Sequence, residues 1–306
     1  MSAATAAQDV YTTIEESARL LGVPCSRERI WPVLSAYGRD LAGAGMVLSV
    51  ATGGDPTDDL DYTITVPADA GPDPYAVALS EGFVTESAGH PVASLLEDLK
   101  AHVPVSEYFI DGGIAGGFSK VYAHFPGTPL TVAQLAAIPS MPPSVSGNAE
   151  LFARHHMDRV AMLGINYRSR TVNLYFAGLP AAFRTADNIR SLNGALGLPE
   201  PEGASLAFAQ RSFRSYVTLG WESGRIEKIC YAPAPVRDWD PSLLPAPLDP
   251  RIEKFVRGTR CAYSDRPFVI AALKWSPSGQ HLNLGPYIRL SPLLRNLLHE
   301  VTGEEV

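Results

Sequence analysis

Five times along this chain, two strand-like runs face each other across a turn. The pairs begin roughly every 55 residues, a spacing typical of a repeated supersecondary unit. They are Met46 to Thr52 with Asp61 to Val66, Val105 to Ile110 with Ser119 to Phe125, Asp158 to Asn166 with Thr171 to Phe176, Arg211 to Trp221 with Arg225 to Ala232, and Pro267 to Lys274 with His281 to Leu290. Helical periodicity separates them, as over Gln8 to Leu21, His90 to His102 and Thr185 to Leu196, with a last helix after Ser291-Pro292. Ten antiparallel strands in one open sheet would leave two unpaired edges, and closure removes both. The expectation is an α+β fold, a single domain over residues 1–306, with a ten-stranded antiparallel barrel inside and helices outside.

If helices cover the outside, the apolar parity of each strand faces outward. In Ser119 to Phe125 that leaves Lys120, Tyr122 and His124 in the lumen, the reverse of a half-exposed strand. Other strands agree. Tyr62, Ile64 and Val66 alternate with Asp61, Thr63 and Thr65; Val172, Leu174 and Phe176 with Asn173 and Tyr175; Leu284, Pro286 and Ile288 with Asn283, Gly285, Tyr287 and Arg289. The same count turns Arg214, Tyr216, Thr218, Lys228, Cys230 and Lys274 inward. The polar lumen so read holds lysines and an arginine among tyrosines, with Asp61 as the obvious acid. Such a cluster needs an anion. A polyphosphate suits it, with a carboxylate-bound Mg²⁺ taking the remaining oxygens, and tyrosine faces can stabilise a carbocation. The competing reading lets some of these cations snorkel from the barrel rims or pair with acids that the parity count does not pick out.

Composition removes other classes. With 46% hydrophobic and 19% charged residues and a net charge of -7, the chain reads as globular and as a binder of neither nucleic acid nor an anionic membrane. Cys25, Cys230 and Cys261 have no disulfide or zinc spacing, and no run of ~20 apolar residues exists, so a cytoplasmic protein is expected. Asp111 to Gly117 lacks the lysine-hydroxyl ending of a phosphate loop and is read as a hairpin turn; Asp58 and Asp59 are read as a solvated turn, and His155-His156 as surface.

Taken together, Leu60-Asp61-Tyr62, Gly89-His90-Pro91-Val92, Gly116-Gly117-Phe118, Ala137 to Pro143, Asn148 to Arg154, Val172 to Phe176 and Arg211-Ser212-Phe213 resemble the soluble aromatic prenyltransferases of the ABBA fold over nearly the whole chain. The resemblance implies five αββα units around a solvent-filled barrel, and transfer of a geranyl or dimethylallyl group from its diphosphate to an electron-rich aromatic acceptor. A monomer is expected. Lys120, Asn173, Tyr216 and Lys228 match the family's diphosphate-binding positions, and Asp61 the aspartate that holds Mg²⁺. Tyr122, Tyr175, Phe213 and Tyr287 match positions lining the prenyl and aromatic pocket, beside Met162, Thr63 and Gly285; the three tyrosines are the candidate catalytic residues.

Three departures from the family matter. Thr63 stands where metal-independent relatives often carry arginine, which favours Mg²⁺. Asn283 replaces a diphosphate-binding lysine, for which Lys274 on the neighbouring strand can substitute. Ala161 and Arg214 stand where a family member sets glutamine and serine against the acceptor, and Arg214 can meet an acidic group there. The rival function is a non-catalytic barrel that carries an anionic aromatic or isoprenoid ligand.

Overall fold

The computed structural model describes residues 3–39, 41–52, 60–69, 71–87 and 89–305; the turn expected at Asp58 and Asp59 lies outside them. Its strands are β1 (Met46–Ala51), β2 (Asp61–Pro67), β3 (Glu107–Gly113), β4 (Gly117–His124), β5 (Leu130–Thr131), β6 (Arg159–Asn166), β7 (Thr171–Phe176), β8 (Ser212–Gly220), β9 (Ile226–Pro233), β10 (Val269–Ser276) and β11 (Gly279–Arg289). They join in the order β4-β3-β2-β1-β11-β10-β9-β8-β7-β6-β5. A further pairing of β4 with β6 closes a ten-stranded antiparallel barrel, leaving β5 as a short spur on β6.

The inverted polarity holds. Tyr62, Ile64, Val121, Val172, Leu174, Val217, Ile229, Leu273 and Leu284 are all buried on the outward face, in one core with Ile14 and Leu21 of the helix Ala3–Leu21. The hydrophobic core of this protein is therefore a shell between barrel and helices, and apolar burial there leaves the lumen free to be polar. Local signals set the helix starts. Thr131 and Gln134 form a reciprocal capping box before Val132–Ala136. Thr185, Asp249 and Ser291 accept backbone hydrogen bonds at the starts of Ala186–Ala195, Pro250–Gly258 and Pro292–Thr302.

The structure differs from the sequence reading in four places. First, β3 runs through Gly113, so the glycine-rich turn shortens to Ile114–Gly116 before Gly117 at φ +68°, and Asp111 belongs to a strand. Gly112 stays in register because it yields space: a Cβ there would lie 2.7 Å from the Tyr62 hydroxyl on the paired strand. Second, the last helix does not simply coat the outside. Leu294 and Leu298 pack with Phe268 and Tyr287, and with Leu297 they line one end of the lumen. Third, His90 to His102 divides into a 3₁₀ turn, Pro91–Ala93, and a helix, Leu95–His102, and Gly203–Gln210 forms a helix whose pattern gave no sequence signal. Fourth, His155 is buried and bonded through Nδ1 to Asn188 Oδ1 at 2.8 Å, while His156 is exposed.

Candidate active site

The lumen holds a cavity of about 220 Å³ that opens to solvent. Three tiers of side chains line it. Nearest the mouth are Ser49, Asp61, Thr63, Asp111, Lys120, Lys274 and Asn283; then come Tyr122, Tyr175, Tyr216 and Cys230; beyond them lie Phe109, His124, Met162, Phe213, Arg214 and Tyr287, closed by the last helix.

The first tier is organised by Asp111, which the sequence reading assigned to a turn. Register places it opposite Thr63 on β2 and Lys120 on β4. Thr63 Oγ1 donates to Asp111 Oδ1 at 2.7 Å, Lys120 Nζ lies 3.3 Å from Oδ2, and the Tyr122 hydroxyl reaches Oδ2 at 3.5 Å. Burial alone would lower the pKa of Lys120, but Asp111, Tyr175 and Asp61 more than offset it, and the pKa is raised. Lys274 is the opposite case. Burial, reinforced by Lys120, outweighs its acidic neighbours and lowers its pKa. Two lysines therefore share a desolvated chamber with too little negative charge to satisfy both.

Asn173, Thr218 and Lys228 form a cross-strand row, with Thr218 Oγ1 donating to Asn173 Oδ1 at 2.9 Å. None of the three lines the cavity, and Lys228 is exposed. Each keeps the inward parity of its strand, two residues along from Tyr175, Tyr216 and Cys230, the same step that separates Lys120 from Tyr122. Lys228 still acts at a distance: burial first, then Lys274 and Lys228, push His281 down to about 4.

The second tier is a run of aromatic faces. Tyr122 meets Tyr175 edge-on at 5.8 Å, and Tyr175 lies against Tyr216 at 4.5 Å with 30° between the planes. Lys120 Nζ lies 5.5 Å from the Tyr122 ring centre. Burial raises the pKa of all three tyrosines, Tyr175 to about 12, so each hydroxyl keeps its proton and can donate. Gly164 holds this geometry. A Cβ there would fall 2.7 Å from Tyr122 Cδ1 and Cε1, so Gly164→Ala should push the ring into the lumen. The expected result is a loss of about 1–3 kcal/mol in urea unfolding, as for overpacked cores, with an activity drop that exceeds the stability effect. Unchanged activity would show that the Tyr122 ring position is dispensable.

In the third tier a register shift between Ser212 and Arg214 turns two successive residues, Phe213 and Arg214, onto the cavity. Ala161 falls at a similar shift between Val160 and Met162; Met162 lines the cavity and Ala161 does not. Gly285 does not line it either: a Cβ there would sit 2.7 Å from the Leu48 carbonyl, so glycine serves the close approach of β11 to β1.

Among the described residues no group of three or more His, Cys, Asp or Glu side chains is arranged to hold a metal. Asp61, with Ser49 and Asn283 also on the cavity wall, offers a few hard oxygen donors. That set fits Mg²⁺, which usually keeps waters and substrate oxygens in its shell, better than a softer ion that needs a full protein cage.

A closed barrel with its core outside, two lysines near the mouth and clustered tyrosines within defines a class of protein: a barrel whose interior suits an anionic head group with an apolar tail. Comparison with known proteins gives the family. The family model described as Aromatic prenyltransferase Orf2 matches residues 5–287. Flaviolin linalyltransferase of Streptomyces virginiae is 38% identical over 86% of each chain. The 5,10-dihydrophenazine-1-carboxylate 9-dimethylallyltransferase of Streptomyces anulatus is 37% identical over 99% of this chain and 100% of that one. The furaquinocin biosynthesis prenyltransferase of a Streptomyces species is 38% identical over 92% and 89%. The fold is shared with the prenyltransferase PriB, solved with L-tryptophan and dimethylallyl thiolodiphosphate, at a TM-score of 0.54, 12% identity and coverage of 94% and 98%. The chain belongs to the aromatic prenyltransferase family, and is an enzyme of prenyl-group transfer. No described helix is long and apolar enough to cross a membrane.

Proposed function

We propose that the protein transfers a geranyl or dimethylallyl group from its diphosphate to an electron-rich aromatic small molecule. The observation that carries this reading is the sequence of tiers along one cavity: Lys120 and Lys274 where a diphosphate would sit, then the faces of Tyr122, Tyr175 and Tyr216 where an allylic cation would form. The allylic C–O bond breaks with its electron pair on the diphosphate, a ring carbon forms the new C–C bond, and the ring proton passes to water or to the released diphosphate. Lys120 and Lys274 stabilise the developing charge on the leaving group in a site that costs no reorganisation. The tyrosine faces hold the cation and exclude water, and the barrel wall keeps the ring carbon within reach. Asp61 is the residue to hold Mg²⁺, which when bound neutralises further diphosphate charge. Three free cysteines suit a reducing cytoplasm.

The test is incubation with each diphosphate, Mg²⁺ and a panel of dihydroxynaphthalenes, phenols and phenazines, read by mass spectrometry. At least one acceptor should gain a prenyl mass. EDTA should suppress the gain, added Mg²⁺ should restore it, and Asp61→Ala should blunt the restoration. Ligand binding without any product would favour the carrier reading, and full activity in EDTA would remove the metal role of Asp61.

A further inference from the structure

Arg214 is a half-buried cation at the end of the lumen away from the lysines. Its guanidinium lies 5.1 Å from the Phe213 ring centre, and among the described residues it forms no hydrogen bond or ion pair. No residue lining the third tier is acidic; the buried Glu107, paired with His124 across β3 and β4, is not among them. His124 lies on the same wall, 5% exposed, with a buried Nδ1 that has no partner, and it senses the arginine's charge. An anionic ligand would complete a guanidinium that lines the cavity with no ion-pair partner. The diphosphate cannot do so while its oxygens engage Lys120 and Lys274 two tiers away.

We infer that this end of the lumen selects an acceptor carrying an anionic substituent that pairs with Arg214. The acceptor class is thus an aromatic acid or a molecule with an equally acidic ring hydroxyl. Phe213 presents a face against which the ring can lie while the anion reaches the guanidinium. Arg214 is a specificity-determining residue. This inference rests on the prenyl-transfer reading of the same cavity, and it concerns the acceptor alone.

The test compares 1,4-dihydroxy-2-naphthoate with its methyl ester in the wild type, Arg214→Gln and Arg214→Lys. The wild type should favour the acid in kcat/KM. Arg214→Gln should reduce that acid-to-ester ratio by about 10- to 100-fold, the usual worth of a charged hydrogen bond, mainly through KM. Arg214→Lys should keep part of the preference, which also guards against a variant that does not fold. Calorimetric binding of the acid and the ester reads the same contacts whether or not product forms. An unchanged ratio, or equal binding of acid and ester by the wild type, would overturn the inference. Absence of product with every acceptor, alongside selective binding of the acid, would instead count against the transferase reading.

Discussion

Lys120→Ala is expected to lower kcat/KM for prenyl transfer by about 10²–10³, the range seen when one preorganised donor to a developing oxyanion is removed. The lysine is held by β4 with its ammonium 3.3 Å from Asp111 and close over Tyr122, so its position is fixed before substrate arrives. Removing it takes away the cation between diphosphate and tyrosines and leaves Asp111 facing the same oxygens with a repelling charge. Both donor affinity and kcat should therefore fall, whereas Lys228→Ala, at an exposed position off the cavity wall, should move donor affinity only slightly. Titration of a non-reactive thiolodiphosphate and single-turnover rates separate the two effects. A loss under threefold in kcat/KM would remove Lys120 from the diphosphate site.

Asp111→Asn should have its largest effect on the unliganded protein. Asparagine can still accept from Thr63, but it no longer offsets the charges of Lys120 and Lys274, which then face each other across the chamber. The free variant is expected to lose about 1–3 kcal/mol in chemical denaturation, as when a buried charged group loses its partner. A bound diphosphate supplies the missing negative charge. Ligand linkage then requires a larger rise in Tm on adding thiolodiphosphate to the variant than to the wild type. An equal or smaller rise would mean that Asp111 does not hold the lysines for an anion.

Much of this arrangement is legible in the chain. Lys120, Tyr122, Tyr175 and Tyr216 each alternate with residues of the shell, and strict period-two alternation fixes the face once closure is assumed. Legibility ends where alternation breaks. Asp111 precedes Gly112-Gly113, a pair that reads as a turn until Tyr62 is seen to need the space above Gly112. Ala161 and Phe213 lie at register shifts, where parity loses count. Lys228 has the inward parity and yet is exposed off the cavity wall, because parity gives the face of a strand and says nothing of depth. The last helix has an ordinary apolar stripe, and no periodicity tells whether that stripe covers a barrel's side or its end.

The pairing of β1 with β11 joins Met46 to Arg289 and Ala51 to Asn283. Strands from opposite ends of the chain thus share a ladder, and the cavity wall draws on residues from Val47 to Val301. A folding chain has no partial version of this site. Loop-closure entropy for the first–last ladder must be met before that contact returns anything, which puts folding at the slow, high-contact-order end of the scale, in the range of roughly milliseconds to seconds or longer. Until that ladder zips, the lysines, the arginine and the tyrosines are dispersed along an open sheet with no common interior. Capacity to bind a diphosphate should accordingly emerge late and all at once during refolding, in step with completion of the barrel.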